Sequence, residues 1–251
     1  MTSKTREELK AEFVENRGYW NSFWDDVLEL DAVFFSAYTK YSSIPTKNNA
    51  LSPKVREFIY IAIDASTTHL YLPGLKLHME NALSLGATRD EIAEVLELTS
   101  VLGIHTCTLG VPILIEELRE LGRGDEIDDN EFGEYEKGLK SKFIKNRGYW
   151  SPVWDDMLKL NPDFFECFVN LSSVPWIAGT LEPKIKEFIY IAIDTATTHL
   201  HKEGARIHIR NALKHGATKE EILEVLQCTS ILGMHALTEG APMLRKLVNE
   251  K

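Results

Sequence analysis

Apolar residues recur at helical spacing along most of the chain, and polar residues mark where the helices begin. Thr88 and Glu91 form a capping box, in which a hydroxyl and a carboxylate satisfy each other's free backbone amides, and apolar residues follow at positions 92, 95, 96 and 102. The same box recurs at Thr218 and Glu221. The pattern predicts a helix after each box.

One apolar run is ambiguous. Residues 58–63 are rich in β-branched side chains and resemble a buried strand as much as a helix. The length of the segment favours a helix, and Pro53, like Pro183 in the matching segment, suits the first turn of one because its missing amide costs nothing there. The whole chain is therefore predicted to be all-α.

The sequence contains an internal duplication. Residues 16–118 reappear at an offset of 130, without a gap, and about half of the paired positions carry the same residue. A repeat of this length exceeds that of solenoid units and indicates two domain-sized copies. We predict domains at 1–121 and 137–251, joined by a linker at 122–136 that is rich in glycine and acidic residues.

Composition and charge narrow the class of protein. With 251 residues and 44% hydrophobic content the chain can bury a large core. The net charge of -10 argues against nucleic-acid and anionic-membrane partners, and the apolar runs are shorter than the ~20 residues of a membrane span. The three cysteines lack metal-type spacing. We expect a soluble, cytoplasmic protein with no membrane partner.

Histidine is the side chain most suited to proton transfer near neutral pH. Each copy has three at matched positions, which are His69, His78 and His105 in the first and His199, His208 and His235 in the second. A buried, hydrogen-bonded core residue is the alternative for any single one. His78 lies on the core-facing side of its helix, where Glu57 of the preceding helix can orient it as an acid or base, and His208 has the same relation to Glu187.

The remaining candidates are predicted to contact substrate. His69 and His199 follow helix ends, where a helix-capping role is equally consistent. His105 and its partner His235 suit a pocket lining or simple packing. Arg17 and Arg147, each set among aromatic residues, can clamp a substrate carboxylate, although a surface pair with a nearby aspartate is the more ordinary use. We expect His105 or Arg17 to contact substrate oxygens at the His78 site.

The two copies share a set of residues at matched spacing. The first copy carries Arg56, Glu57, His78, Ala82, Gly86, Glu91, Glu94, Gly110 and Pro112, and the second carries Lys186, Glu187, His208, Ala212, Gly216, Glu221, Gly240 and Pro242. These motifs resemble the carboxymuconolactone decarboxylase family of the alkylhydroperoxidase D-like superfamily. The resemblance covers nearly all of both copies. It implies a tandem duplication of an all-α helical bundle unit, and a homo-oligomer, most simply a trimer of tandem chains.

The resemblance also bears on activity. The thiol branch of the superfamily has cysteines seven and four residues before the histidine, where this chain has Tyr71 and Gly74, then His201 and Gly204. A dithiol peroxidase is thus disfavoured. The decarboxylase branch removes CO2 from a γ-carboxy lactone of aromatic catabolism. It implies a lyase for a small carboxylic acid or lactone that uses the two Glu-His pairs and needs no cofactor and no metal.

Two alternatives stay open from the sequence. One is a metal-dependent enzyme that uses His199, His201, His208 and Glu187. The other is a non-catalytic oligomeric protein that binds a small acid. The rims of the two pockets differ, as Tyr71 against His201 shows, so we expect distinct specificities or one degenerate site.

Overall fold

A computed structural model describes residues 4–127 and 131–250, and these contain α-helices, short 3-10 turns and no strand. The all-α prediction is confirmed. The helices are α1 Arg6–Arg17, α2 Phe23–Leu30, α3 Ala32–Asn48, α4 Pro53–Ala65, α5 Leu72–Ser84, α6 Arg89–Ser100, α7 His105–Glu120, α8 Glu134–Arg147, α9 Asp155–Leu160, α10 Pro162–Ala178, α11 Pro183–Thr195, α12 Lys202–Lys214, α13 Lys219–Ser230 and α14 His235–Asn249. Residues 128–130 of the predicted linker lie outside the described residues, and α8 begins inside that predicted linker.

The local signals act as predicted. Thr88 and Thr218 complete capping boxes at the starts of α6 and α13. The ambiguous run is helical, because Ser52 caps α4 and Pro53 occupies its first turn. Its β-branched residues reflect burial on all sides of the helix, since nearly every residue from Val55 to Asp64 is buried.

The two copies share one core. Helices α4 and α11 pack against each other at the centre. Val55 and Ile59 of the first copy belong to the same buried cluster as Phe188 and Val225 of the second. The predicted domains 1–121 and 137–251 therefore do not have separate hydrophobic cores.

The N-terminal helices of each copy pack on the other copy. Phe13 and Trp24, from α1 and α2, pack with Ile231 and Met234 near the start of α14. The equivalent cluster around Phe143, Trp154 and Phe165 packs against Ile104 and Cys107 at the start of α7. Each half of the molecule is thus assembled from both copies.

Two buried ion pairs join the copies. Arg56 Nη1 of α4 lies 2.9 Å from Glu224 Oε1 of α13, and Lys186 Nζ of α11 lies 2.9 Å from Glu94 Oε1 of α6. All four side chains are at most 8% exposed.

One helical stretch, Arg89–Glu120, is long and apolar enough to cross a membrane. Core helices of water-soluble proteins pass the same test of length and composition.

Candidate active site

The first Glu-His pair is formed between α4 and α5. His78 Nδ1 lies 2.7 Å from Glu57 Oε2, and Asn81 donates a longer hydrogen bond of 3.4 Å to the same oxygen. The imidazole stacks on Tyr60 with ring centroids 4.6 Å apart. Because an ionised carboxylate only accepts hydrogen bonds, the Nδ1–H group donates, and Nε2 is the nitrogen left for chemistry.

The second pair repeats this arrangement between α11 and α12. His208 Nδ1 lies 2.6 Å from Glu187 Oε2, Asn211 donates to Glu187 Oε1 at 3.3 Å, and Tyr190 stacks on the imidazole at 4.5 Å. His208 Nε2 lies 4.0 Å from Asp194 Oδ2. The contact predicted between glutamate and histidine is therefore present in both copies.

A histidine from the second copy completes the first site. His69 Nε2 lies 2.7 Å from His235 Nδ1, and the two rings stack. Asp64 Oδ1 lies 4.0 Å from the first nitrogen and 3.8 Å from the second. A cavity of about 40 Å³ brings Asp64, His78 and His235 together with Arg17.

The second site is built in the same way with the copies exchanged. His105 Nδ1 lies 2.7 Å from His199 Nε2 and 3.7 Å from Asp194 Oδ1. A second cavity of about 40 Å³ is lined by His105, Asp194, His208 and Arg147. The expectation that His105 acts beside His78 is wrong, because the start of α7 packs on the second copy, and His235 takes that place instead.

Two aspartates lie at the centre of these sites and were not predicted from the sequence to take part in them. Asp64 is 2% exposed and Asp194 is 1% exposed. Burial, and then the nearby Glu57, raises the pKa of Asp64 to about 8. Each aspartate lies seven residues, or about two helical turns, after the glutamate on the same polar face of α4 or α11. That repeated spacing was the signal in the sequence that could have identified them.

Glycine allows each aspartate to approach the next helix. A Cβ atom at Gly74 would lie 2.2 Å from Asp64 Oδ2, and one at Gly204 would lie 2.1 Å from Asp194 Oδ2. These glycines occupy a position where the thiol branch of the superfamily has a cysteine. In this chain the aspartate carboxylate therefore occupies the space that the cysteine side chain would need.

The paired imidazoles are held as neutral bases. Burial, followed by repulsion from His69 and His78, lowers the pKa of His235 to about 3. Burial lowers the pKa of His105 to about 4, although Asp194 opposes this shift. At neutral pH both rings are uncharged and can accept a hydrogen bond or bind an ion.

Arg147 is buried and Arg17 is half-buried, and both lie against aromatic rings. Arg17 donates hydrogen bonds of 3.2 Å to Ser42 O, Tyr60 Oη and Tyr19 Oη. Arg147 lies over the rings of Tyr190 and Trp176, among others. Neither guanidinium forms an ion pair with a carboxylate within residues 4–127 and 131–250. Their charge is available to an anionic ligand in the cavity.

The two sites differ at one pair of equivalent positions, which is Tyr71 in the first copy and His201 in the second. Tyr71 Oη lies 2.9 Å from Thr238 Oγ1, and its ring stacks on His235 at 3.9 Å. The ring of His201 stacks on His105 at 3.8 Å, and its Nδ1 accepts a hydrogen bond from the Gly204 amide. The second site therefore has one imidazole more than the first.

The structure regroups the residues considered as metal ligands. Glu187 and His208 bond to each other, whereas His199 and His201 gather with His105 and Asp194. A second set consists of Asp64, His69 and His235, and in each set the ligand atoms lie within 4.8 Å of one another. Among the described residues, these two sets bring together enough ligand atoms to hold a cation.

The one cysteine at the first cavity is poorly suited to thiol chemistry. Cys228 lines that cavity, and burial raises the pKa of its thiol to about 11. The position that matches it in the first copy is Leu98. A dithiol mechanism needs two cysteine thiols, and neither cavity has two in its lining.

The fold and these paired sites define a duplicated helical decarboxylase-like protein. The carboxymuconolactone decarboxylase family model matches residues 32–103 and 162–242, and the chain belongs to this family. A crystal structure from Burkholderia xenovorans LB400, whose assigned name is gamma-carboxymuconolactone decarboxylase subunit, is 45% identical. The alignment covers 99% of each chain with a TM-score of 0.95. No curated protein matches the chain.

Proposed function

We propose that the protein is a lyase that removes CO2 from a small carboxylated lactone or a related acid. The observation that carries the proposal is a cavity whose lining brings the histidine of a Glu-His pair together with an arginine, once in each half of the molecule. Family membership supports the reaction class. Glu57 with His78 and Glu187 with His208 are the proposed acid-base groups.

The proposed reaction begins with binding of the anionic substrate. Arg17 attracts its carboxylate, while the rings of Tyr60 and Trp24 provide an apolar wall. When the bond to the carboxylate breaks, its electrons move towards the lactone carbonyl and CO2 leaves. The imidazolium of His78 then gives its Nε2 proton to the carbon beside the lactone carbonyl, where the electron pair has moved, which leaves an enol-lactone. Solvent returns a proton to Nε2.

Glu57 is proposed to support this proton transfer. Its bond to Nδ1 fixes the ring with Nε2 free, and its negative charge stabilises the imidazolium that must form before the proton is given. Glu187 acts in the same way on His208. Each chain is therefore proposed to have two reaction sites.

Access differs between the sites. A larger apolar hollow of about 340 Å³ shares the walls Tyr38, Ile231 and Met234 with the first cavity. Because 40 Å³ holds only a few water molecules, a substrate needs one of these walls to move. Met234 is the most adaptable of the three, and Ile104 takes its place in the other copy. We propose that the first site accepts the larger substrates.

The test is turnover of carboxylated lactones, followed as CO2 release, in His78→Gln, His208→Gln and the double variant. Glutamine can hydrogen-bond but cannot transfer a proton, so each single variant should retain the activity of the other site. The double variant should lose about 10²–10⁴-fold. His215→Gln, which changes an exposed histidine outside both sites, is the control. Full turnover in the double variant would end the proposal.

The trimer of tandem chains stays a prediction, and exposed apolar side chains on the C-terminal helices support it. Leu109 and Ile113 on α7, and Met243 and Leu247 on α14, are each at least half exposed or close to it. Light scattering on the purified protein should give three times the chain mass of 28.5 kDa. A monomeric mass would contradict the prediction.

A further inference from the structure

We propose that each cavity binds a divalent first-row transition ion through residues of both copies. Asp64, His69 and His235 form the first site, and the second consists of His105, Asp194, His199 and His201. Neither set includes a residue of the two Glu-His pairs, so metal binding and the proposed lyase activity can be tested with different variants.

The distances in the first site suit a bound ion. His69 Nε2, His235 Nδ1 and Asp64 Oδ1 are separated by 2.7, 3.8 and 4.0 Å. A point equidistant from these three atoms lies about 2.1 Å from each, which is the bond length of Zn²⁺ to imidazole nitrogen and carboxylate oxygen. One ion can therefore contact all three atoms if the two imidazoles, which lie at hydrogen-bond distance from each other, separate slightly.

One oxygen of each aspartate has no hydrogen-bond partner among the described residues. Asp64 Oδ2 and Asp194 Oδ2 are buried and make no hydrogen bond within the described part of the chain. Burial without a partner disfavours the ionised form of a carboxylate, and a cation in the cavity offsets that cost. Gly74 has no side chain, so the carboxylate of Asp64 can lie directly against α5. The packing of α4 on α5 therefore fixes the position of the carboxylate.

The ligand types select the kind of ion. Two imidazoles and one carboxylate suit Zn²⁺ and its first-row neighbours rather than Mg²⁺ or Ca²⁺, which favour oxygen. In the first site three protein ligands leave a position open to the cavity, and Tyr71 provides no nitrogen. In the second site His201 adds a fourth ligand, so the ion is enclosed. We therefore expect the second site to bind more tightly.

The test is metal content and Zn²⁺ titration of the full chain after treatment with a chelator. Wild type should bind two Zn²⁺ per chain, with the tighter event first, and its melting temperature should rise with Zn²⁺. His235→Gln should lose the weaker event and His105→Gln the tighter one. The control His215→Gln should bind two. If His235→Gln fails to fold, His69→Gln removes the same site from the other copy.

Exchange of the two rim residues tests the assignment of the fourth ligand. His201→Tyr should weaken the tighter event by at least about tenfold, towards the affinity of the first site. Tyr71→His should strengthen the weaker event. Unchanged affinities in both variants would remove His201 from the site.

Other outcomes overturn the proposal as a whole. No Zn²⁺ binding at micromolar concentration, or two Zn²⁺ still bound after His235→Gln and His105→Gln are combined, would show that the imidazoles form only hydrogen-bonded pairs. His78→Gln should still bind two Zn²⁺. If that variant keeps both metals and full activity at its site, the lyase mechanism fails while the metal sites stand.

Discussion

Glu224→Gln tests the buried charge pairs that hold the two copies together. Glu224 is fully buried, with Oε1 2.9 Å from Arg56 Nη1 and Oε2 2.7 Å from the amide of Ala50. Glutamine keeps one oxygen, which can serve only one of these donors. The guanidinium of Arg56 is then left with Leu51 O, at 2.8 Å, and no compensating charge.

The size of the effect follows from that uncompensated charge. Loss of one partner of a buried ion pair costs about 3–5 kcal/mol in the free energy of unfolding. With an m-value of about 2–3 kcal/mol/M, the urea midpoint should fall by about 1–2 M. Circular dichroism during urea unfolding measures this shift.

Two companion variants make the result specific. Glu80→Gln breaks the exposed pair with Lys76 and should change stability by less than about 0.5 kcal/mol. The double variant Arg56→Met with Glu224→Met should lose less than Glu224→Gln alone, because no charge is left buried. A loss below about 1 kcal/mol in Glu224→Gln, or a double variant less stable than the single one, would refute this reasoning.

Gly74→Ala should destabilise the protein by about 1–3 kcal/mol in urea unfolding, because the new Cβ would clash with Asp64 Oδ2. Gly138→Ala, at a helical glycine with open space around it, should instead gain up to about 1 kcal/mol, and equal effects would contradict the packing argument. Cys228 should react with iodoacetamide far more slowly at pH 8 than the exposed Cys167, since its raised pKa keeps the thiol protonated until pH approaches 11. Mass spectrometry of the alkylated peptides measures both rates, and equal rates would show that the thiol is not buried.

The helices and the internal pairing of Glu57 with His78 were predictable because they depend on local spacing. A capping box, a proline in the first turn and a histidine one helix after a glutamate leave signals within about 30 residues of sequence. The repeat strengthened each signal, because Glu187 and His208 stand at the same spacing. Even the β-branched run of α4 was assigned from its length.

The composite nature of the sites was not predictable from the same signals. Because the two copies have the same sequence pattern, the sequence does not show whether His105 lies near His78 of its own copy or near His208 of the other. The answer depends on packing between Phe13 and Met234, and between their counterparts, across the two copies. Asp64 was missed because a carboxylate on a charged helix line usually faces solvent.

Exchange of His105 and His235 between the sites is the central structural claim, and Zn²⁺ binding by two double variants tests it most directly. His69→Gln combined with His235→Gln changes one cavity twice, so one Zn²⁺ per chain should remain bound. His69→Gln combined with His105→Gln changes both cavities, so neither Zn²⁺ should bind. The reverse result, in which the second combination keeps one Zn²⁺ and the first keeps none, would contradict sites built from both copies.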